Sequence, residues 1–189
     1  MKKHFVNAVL MTVVTTVLLG IVYPLAVTAI AQVLFRSKAD GQIIYRNGQA
    51  IGSRIIGQPF TGPEYFHSRP SAAGDGYDAA QSGGSNLSPT NHILVEDVEK
   101  RVKAEQVGSN PVPIDLVTAS ASGLDPDISP AAAYYQMARV AHSRGIPESA
   151  VQSLIERHTQ RRQLGFLGAS HVNVLELNLA LDRLYPVHN

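Results

Sequence analysis

The chain contains no cysteine and no tryptophan among its 189 residues. Without thiols it can form no disulfide, present no thiolate nucleophile and hold no Cys-ligated zinc or iron–sulfur centre. An excess of one charge is also missing, since 16 Lys and Arg against 15 Asp and Glu leave a formal net charge of +1. Basic residues never run longer than a pair, so the dense positive footprint that phosphate backbones require is absent. Nucleic acid is therefore not an expected partner. The lack of cysteine leaves the redox compartment open.

The shortage with the largest consequence is local. From Phe5 to Phe35 there is no Asp, Glu, Lys or Arg, and 17 positions are Leu, Ile, Val or Phe. Each of these favours insertion by roughly 0.3–0.6 kcal/mol, so residues 5–35 are expected to span a bilayer. At about 1.5 Å per residue the run exceeds the ~30 Å hydrocarbon layer, which predicts tilt, a bend near Pro24 or ends that emerge into the interface. Ala29-Ile30-Ala31 has the small-x-small pattern of a signal-peptide cleavage site, but a signal h-region is typically only about 7–15 residues long. A retained anchor is the better reading. Lys2 and Lys3 on one flank and Arg36 and Lys38 on the other balance too evenly for charge to set the orientation. A large C-terminal domain translocates largely regardless of charge, so the expected arrangement is residues 1–4 as a cytoplasmic tail and 36–189 as an extracytoplasmic domain. Within the span Ala8, Thr12, Thr16 and Gly20 recur every fourth residue, a small-xxx-small strip on which another membrane helix can pack closely.

Beyond the anchor, extended apolar-rich runs at 42–45 and 51–56 flank Asn47-Gly48, which predicts a β-hairpin. Residues 57–86 are crowded with Gly, Pro, Ser and Asn and read as a long irregular loop held by Phe60, Tyr65, Phe66 and Tyr77. Ser88-Pro89 predicts the start of a helix that runs to Gly108, and a short strand or extended segment is expected around Leu116-Val117. Ser129-Pro130 opens a second helix to Arg144, stopped by Gly145. A third follows Pro147 with Val151, Leu154 and Ile155 inward. A fourth begins at an Asn173 cap with Glu176 reaching back, and turns Val174, Leu177, Leu181 and Leu184 inward before Pro186. The predicted class is α+β: one membrane helix, then a small domain with a hairpin and about four helices.

Chemistry is sparse. There is no G-x-S-x-G elbow, and the histidines, His4, His67, His92, His142, His158, His171 and His188, include no i,i+3 or i,i+4 pair and no H-E-x-x-H. Neither a hydrolase triad nor a zinc site is expected, and no catalytic or metal-binding residue is assigned. Asp125-x-Asp127-x-Ser129 resembles the start of a calcium loop, but Pro130 stands where glycine is needed and Gln136 where the bidentate Glu belongs. The Arg161-Arg162 pair reads as a solvated helix end. The most unusual segment is Gln81-Ser82-Gly83-Gly84-Ser85-Asn86, whose small residues can turn backbone N–H groups onto an anion; no G-K-[ST] follows, so it is not a Walker loop. It reads either as a ligand-contacting loop or as a tight structural turn.

Gly57-Gln58-Pro59-Phe60-Thr61, Tyr65-Phe66-His67-Ser68-Arg69-Pro70-Ser71-Ala72, Ser82-Gly83-Gly84-Ser85-Asn86-Leu87, the run from Asp115 to Pro126, Ile128-Ser129-Pro130-Ala131-Ala132-Ala133 and the run from Val172 to Asp182, taken in this order behind an apolar anchor, resemble the C subunit of the Kdp potassium-transporting P-type ATPase over nearly the whole chain. The resemblance implies an accessory subunit with no cofactor of its own, assembled in the bacterial inner membrane with a potassium-channel-like subunit and an ATP-hydrolysing P-type subunit. It also implies a catalytic chaperone that raises the pump's affinity for ATP, with residues 81–86 likened to an ABC-type signature and so a contact for ATP. In agreement, the chain lacks the D-K-T-G-T phosphorylation motif, and a single span builds no selectivity filter.

Overall fold

The computed structural model describes residues 1–187 and divides into two compact units, Met1–Ile51 and Gly52–Asn189. The first is dominated by a continuous apolar helix, Lys2–Leu34, none of whose hydropathic window is buried by the protein itself. It consists of α1 (Lys2–Val17), a π-helical turn (Leu18–Val22) and α2 (Tyr23–Leu34). The π turn lies where the expected bend was placed, and Pro24 accounts for it: proline lacks an N–H and its ring crowds the carbonyl four residues back. Widening the turn relieves the crowding, and the Tyr23 N–H donates to the Leu18 carbonyl. Phe35 leaves helical geometry at φ −136°, and a single turn, α3 (Arg36–Ala39), follows.

The predicted hairpin forms from β1 (Ile43–Arg46) and β2 (Gln49–Ser53). Both turn residues have positive φ, 53° at Asn47 and 80° at Gly48, as a two-residue type I′ turn requires.

The core of the second unit is built on three helices and a small sheet. α5 (Pro130–Arg144) is capped by the Ser129 hydroxyl, which accepts from the Ala132 N–H. It stops at Gly145 in the left-handed region, where a residue with a Cβ is strained. α6 (Glu148–His158) returns antiparallel and buries Val151, Leu154 and Ile155. α7 (Val174–Leu184) buries Val174, Leu175, Leu177, Asn178 and Leu181. The antiparallel sheet has the order β3 (Asp127–Ile128), β5 (His171–Asn173), β4 (Thr159–Gln160), with Ile128 and Thr159 both facing Val172. Strands this short fall below what periodicity can detect, and none of the three was anticipated. The core joins Ile128, Val140, Ile155, Val172, Leu177 and Leu181 of β3, α5, α6, β5 and α7 with Phe66 and Leu116 from the segments that precede them.

Several expectations are corrected. α4 spans His92–Glu105 and is capped by Asn91, whose Oδ1 accepts from the Ile93 N–H at 2.8 Å. Ser88-Pro89 forms the preceding turn, closed by Asn91 N–H to Ser88 O, with Pro89 at the second position that proline favours. Leu116-Val117 is no strand: Pro113 starts a 3-10 turn over Ile114–Leu116 that buries Leu116. Leu184 is 52% exposed, because the last turn of α7 runs past the core. The Asn173 cap forms as expected, but Glu176 does not reach back along the helix; its carboxylate meets Arg54 Nε at 2.8 Å. Arg161-Arg162 is not a helix end, since α6 stops at His158 and the pair lies beyond β4.

Candidate functional site: the strap and the Gly-Ser loop

Between β2 and α4 the chain forms no helix or strand other than a 3-10 turn at Ala79–Gln81. An extended backbone has donors and acceptors that must be satisfied wherever it is buried. Here side chains from the helices replace a strand partner. Asn178 accepts from the Phe66 N–H at 2.9 Å and donates to the Phe66 carbonyl at 2.9 Å. Gln136 does the same for His67, accepting at 2.7 Å and donating at 3.3 Å. The Phe66 ring is thereby placed, fully buried, in the core. Gln136, which a calcium loop would need as Glu, is thus a backbone clamp, and Asp125 is an arginine partner.

Two guanidinium groups fix the outer edge of this strap, residues 54–91. Arg144 donates to the Glu64 carbonyl at 2.7 Å, the Tyr185 carbonyl at 2.8 Å and Asp182 Oδ1 at 2.9 Å, and it lies 4.9 Å from the centre of the Tyr65 ring. Burial and the neighbouring Asp182 push the Tyr65 phenol above its usual pKa. Arg139 donates to the carbonyls of Pro63 and Tyr65, and burial lowers its affinity for the proton. Beside it, the His67 imidazole lies 3.8 Å from Glu105 and holds that carboxyl below its ordinary value.

Further along, the strap clasps residues 118–125. Arg69 donates to Asp125 Oδ2 at 3.1 Å and to the Thr118 carbonyl. Ser71 Oγ donates to the Gly123 carbonyl and accepts from the Ala73 and Tyr77 N–H groups. Tyr77 takes a positive φ, 58°, and its hydroxyl donates back to Arg69 O; burial raises its pKa.

The Gln81–Asn86 loop sits on the same segment. Gln81 is held by Asp78, while Ser82 Oγ and the Gly83 N–H both donate to the Ser122 carbonyl, at 3.0 and 2.9 Å. Glycine is required at Gly123 and favoured at Gly84 on the two sides of this contact. A Cβ on Gly84 would meet the Ala121 carbonyl at 3.2 Å, and one on Gly123, whose φ is +66°, would meet Gly83 O at 2.5 Å. Ser85 and Asn86 are exposed, Asn86 at φ 53°. The adjoining open depression, about 530 Å³, is lined by Ile55, Arg69, Ser120, Ser122, Asp125 and Pro126. Its one carboxylate is paired with Arg69, so what it offers chemically is hydrogen bonding rather than proton transfer. Asp127, raised by burial, faces His171 at 3.7 Å and Asn173 on the neighbouring strand. Among the described residues no three of His, Asp and Glu come together as a metal set; His188 lies outside those residues.

The membrane strip is laid out along α1 into the π turn. Thr12 Oγ1 donates to the Ala8 carbonyl, and a Cβ on Gly20 would lie 4.0 Å from Thr16 Cγ2 and touch nothing else.

Sequence reasoning passed over Asn178 and Asp182, read Gln136 only as a missing calcium ligand and Arg144 only as a helix end. A signal was present: Gln136 interrupts the apolar face formed by Ala132, Ala133 and Val140, and Asn178 the one formed by Val174, Leu177 and Leu181. A polar residue inside such a stripe implies a buried hydrogen bond.

Comparison with known proteins follows the same layout. The chain is 62% identical over 189 residues to the potassium-transporting ATPase KdpC subunit of Koribacter versatilis, covering 99% of this chain and 98% of the relative. It is 59% identical over 183 residues to the same subunit of Acidobacterium capsulatum, covering 97% and 100%, and 54% identical over 189 residues to that of Mycobacterium tuberculosis strain H37Rv, covering 97% and 100%. Residues 5–183, from the apolar helix through the strap to α7, match the family described as KdpC, K+-transporting ATPase, c chain, and the chain belongs to that family.

Proposed function

We propose that this chain is the non-catalytic subunit of an ATP-driven potassium uptake pump, assembling with and stabilising a potassium-channel-like subunit and a P-type ATPase subunit. The observation that carries this reading is that the family match takes in the membrane helix and the folded domain together, and that the helix buries nothing of its own chain. A helix whose apolar surface is left unburied by its own chain is available to another subunit, and the Ala8, Thr12, Thr16, Gly20 strip is the face that would allow close approach. The domain, 36–189, is assigned to the extracytoplasmic side and residues 1–4 to the cytoplasm. From there it would raise the pump's affinity for ATP through the assembled complex rather than by touching nucleotide. The double use of the Ser122 carbonyl by Ser82 and Gly83 supports a clasping role for residues 81–86.

Two measurements test the proposal. Gly20→Leu places a side chain where Gly20 now leaves open space, and should lower recovery of the other subunits on co-purification in detergent, at a cost on the order of 1 kcal/mol of helix association. Recovery at wild-type stoichiometry would mean that the strip faces lipid. Ser85→Cys introduces the chain's single thiol at an exposed position. In intact cells with any outer membrane permeabilised, an impermeant maleimide should label it before lysis. Labelling only after the inner membrane is broken would put the domain in the cytoplasm and make direct ATP contact through Gln81–Asn86 the leading reading.

A further inference from the structure

The domain leaves three large apolar side chains in solvent at one place, the tip of the β4–β5 hairpin: Leu164 is 83% exposed, Phe166 70% and Leu167 48%. The tip is not a loose loop. Gln163 and Leu167 exchange both backbone hydrogen bonds at 2.9 Å, the Gly165 N–H donates to Arg162 O, and the Phe166 N–H donates to Gln163 O. Leu164 is held at φ 53°, a region that a leucine enters only under constraint. The backbone therefore keeps in water the apolar groups that a soluble surface would fold under. Along this stretch of chain the charge has one sign. Arg157, Arg161 and Arg162 are all exposed, and no Asp or Glu occurs between Glu156 and Glu176.

We propose that this hairpin docks on an anionic bilayer surface, with Leu164, Phe166 and Leu167 entering the boundary of the acyl region and Arg161 and Arg162 meeting the lipid phosphates. Charge complementarity carries the choice, because an apolar tip in a basic collar is the composition that anionic interfaces retain. Area supports it, since three side chains fall well short of the roughly 800 Å² per partner that a stable protein interface buries. The chain's own membrane helix makes up for the small area. A domain tethered to a bilayer meets it intramolecularly, so a weak contact is well occupied. This inference rests on the membrane helix and does not depend on the pump subunits.

Phe166→Trp tests it in the full-length chain, keeping an aromatic tip and introducing the protein's single tryptophan. The chain is reconstituted in nanodiscs of phosphatidylcholine with and without phosphatidylglycerol, using lipids brominated on the acyl chains as quenchers. The expected result is blue-shifted emission and strong quenching in the anionic discs. Adding Arg161→Gln and Arg162→Gln should lower the docked-to-free ratio roughly 25-fold, about fivefold per arginine. Unquenched, water-like emission in both discs would overturn the proposal. So would an emission shift that appears only when the other pump subunits are added, which would identify a protein socket instead.

Discussion

Phe66→Ala is expected to destabilise the domain by about 3–5 kcal/mol, the usual cost of emptying a fully buried aromatic site. The cavity would open between α5, α7 and the strap, where Phe66 joins the main core cluster. Relaxation is restricted, because Asn178 grips the residue's own N–H and carbonyl and the backbone cannot fall inward without giving up both bonds. Against a typical total of about 5–15 kcal/mol such a loss is a large fraction of the stability. Calorimetry of the full-length chain in detergent should show the domain's transition lowered by more than about 10 °C. A loss below about 1 kcal/mol would mean that the strap is not part of the cooperative core.

Arg144→Met should cost a comparable amount, about 3–5 kcal/mol, for a different reason. The Arg144 side chain is only 1% exposed and its donors go to Asp182, Glu64 O and Tyr185 O. Methionine fills much of the volume but leaves two carbonyls without their donor and the Asp182 carboxylate without its counter-ion, with only the Tyr65 hydroxyl still on Oδ2 at 3.3 Å. The diagnostic measurement is the double variant Arg144→Met with Asp182→Leu. Removing the stranded charge should recover part of the stability, so the two effects should be clearly sub-additive. Simple additivity would show that the ion pair is not what holds the end of α7 to the strap.

What could be read from the sequence and what could not differ by the range of the interaction responsible. The Asn47-Gly48 turn, the Ser129 and Asn173 caps and the Gly145 stop are each decided within a few residues, and they stand where local chemistry puts them. The start of α4 shows the limit of this reasoning. Two local rules competed, proline at the first helical position and asparagine at the cap, and Asn91 took the cap while Pro89 went to a turn. β3, β4 and β5 are two or three residues long and owe their pairing to partners as far apart as Asp127 and Asn173. The loop from 57 to 86 was legible as irregular and aromatic-anchored, but the residues that hold it lie in helices read only for their ends and, in α7, for an apolar stripe. Gly83, Gly84 and Ser82 stood out as a small-residue loop, whereas their contact with Ser122 required the fold.

The pairing of Phe66 with Asn178 bridges 112 residues of chain. Synthesis proceeds from the N-terminus at about 5–20 residues per second, so Phe66 exists for roughly 6–22 s before its clamp has been made. Throughout that interval the membrane helix is already complete, and the strap has no Asn178 to satisfy its backbone at Phe66, although Gln136, which clamps His67, is made earlier. Closure of the core is therefore a late, non-local event that awaits α7, with the loop-closure entropy and slow kinetics of high contact order. A chain interrupted before Asn178 would carry an anchor and a hairpin but a strap unlatched at Phe66, so closure of the domain is set by the last helix translated rather than by the first.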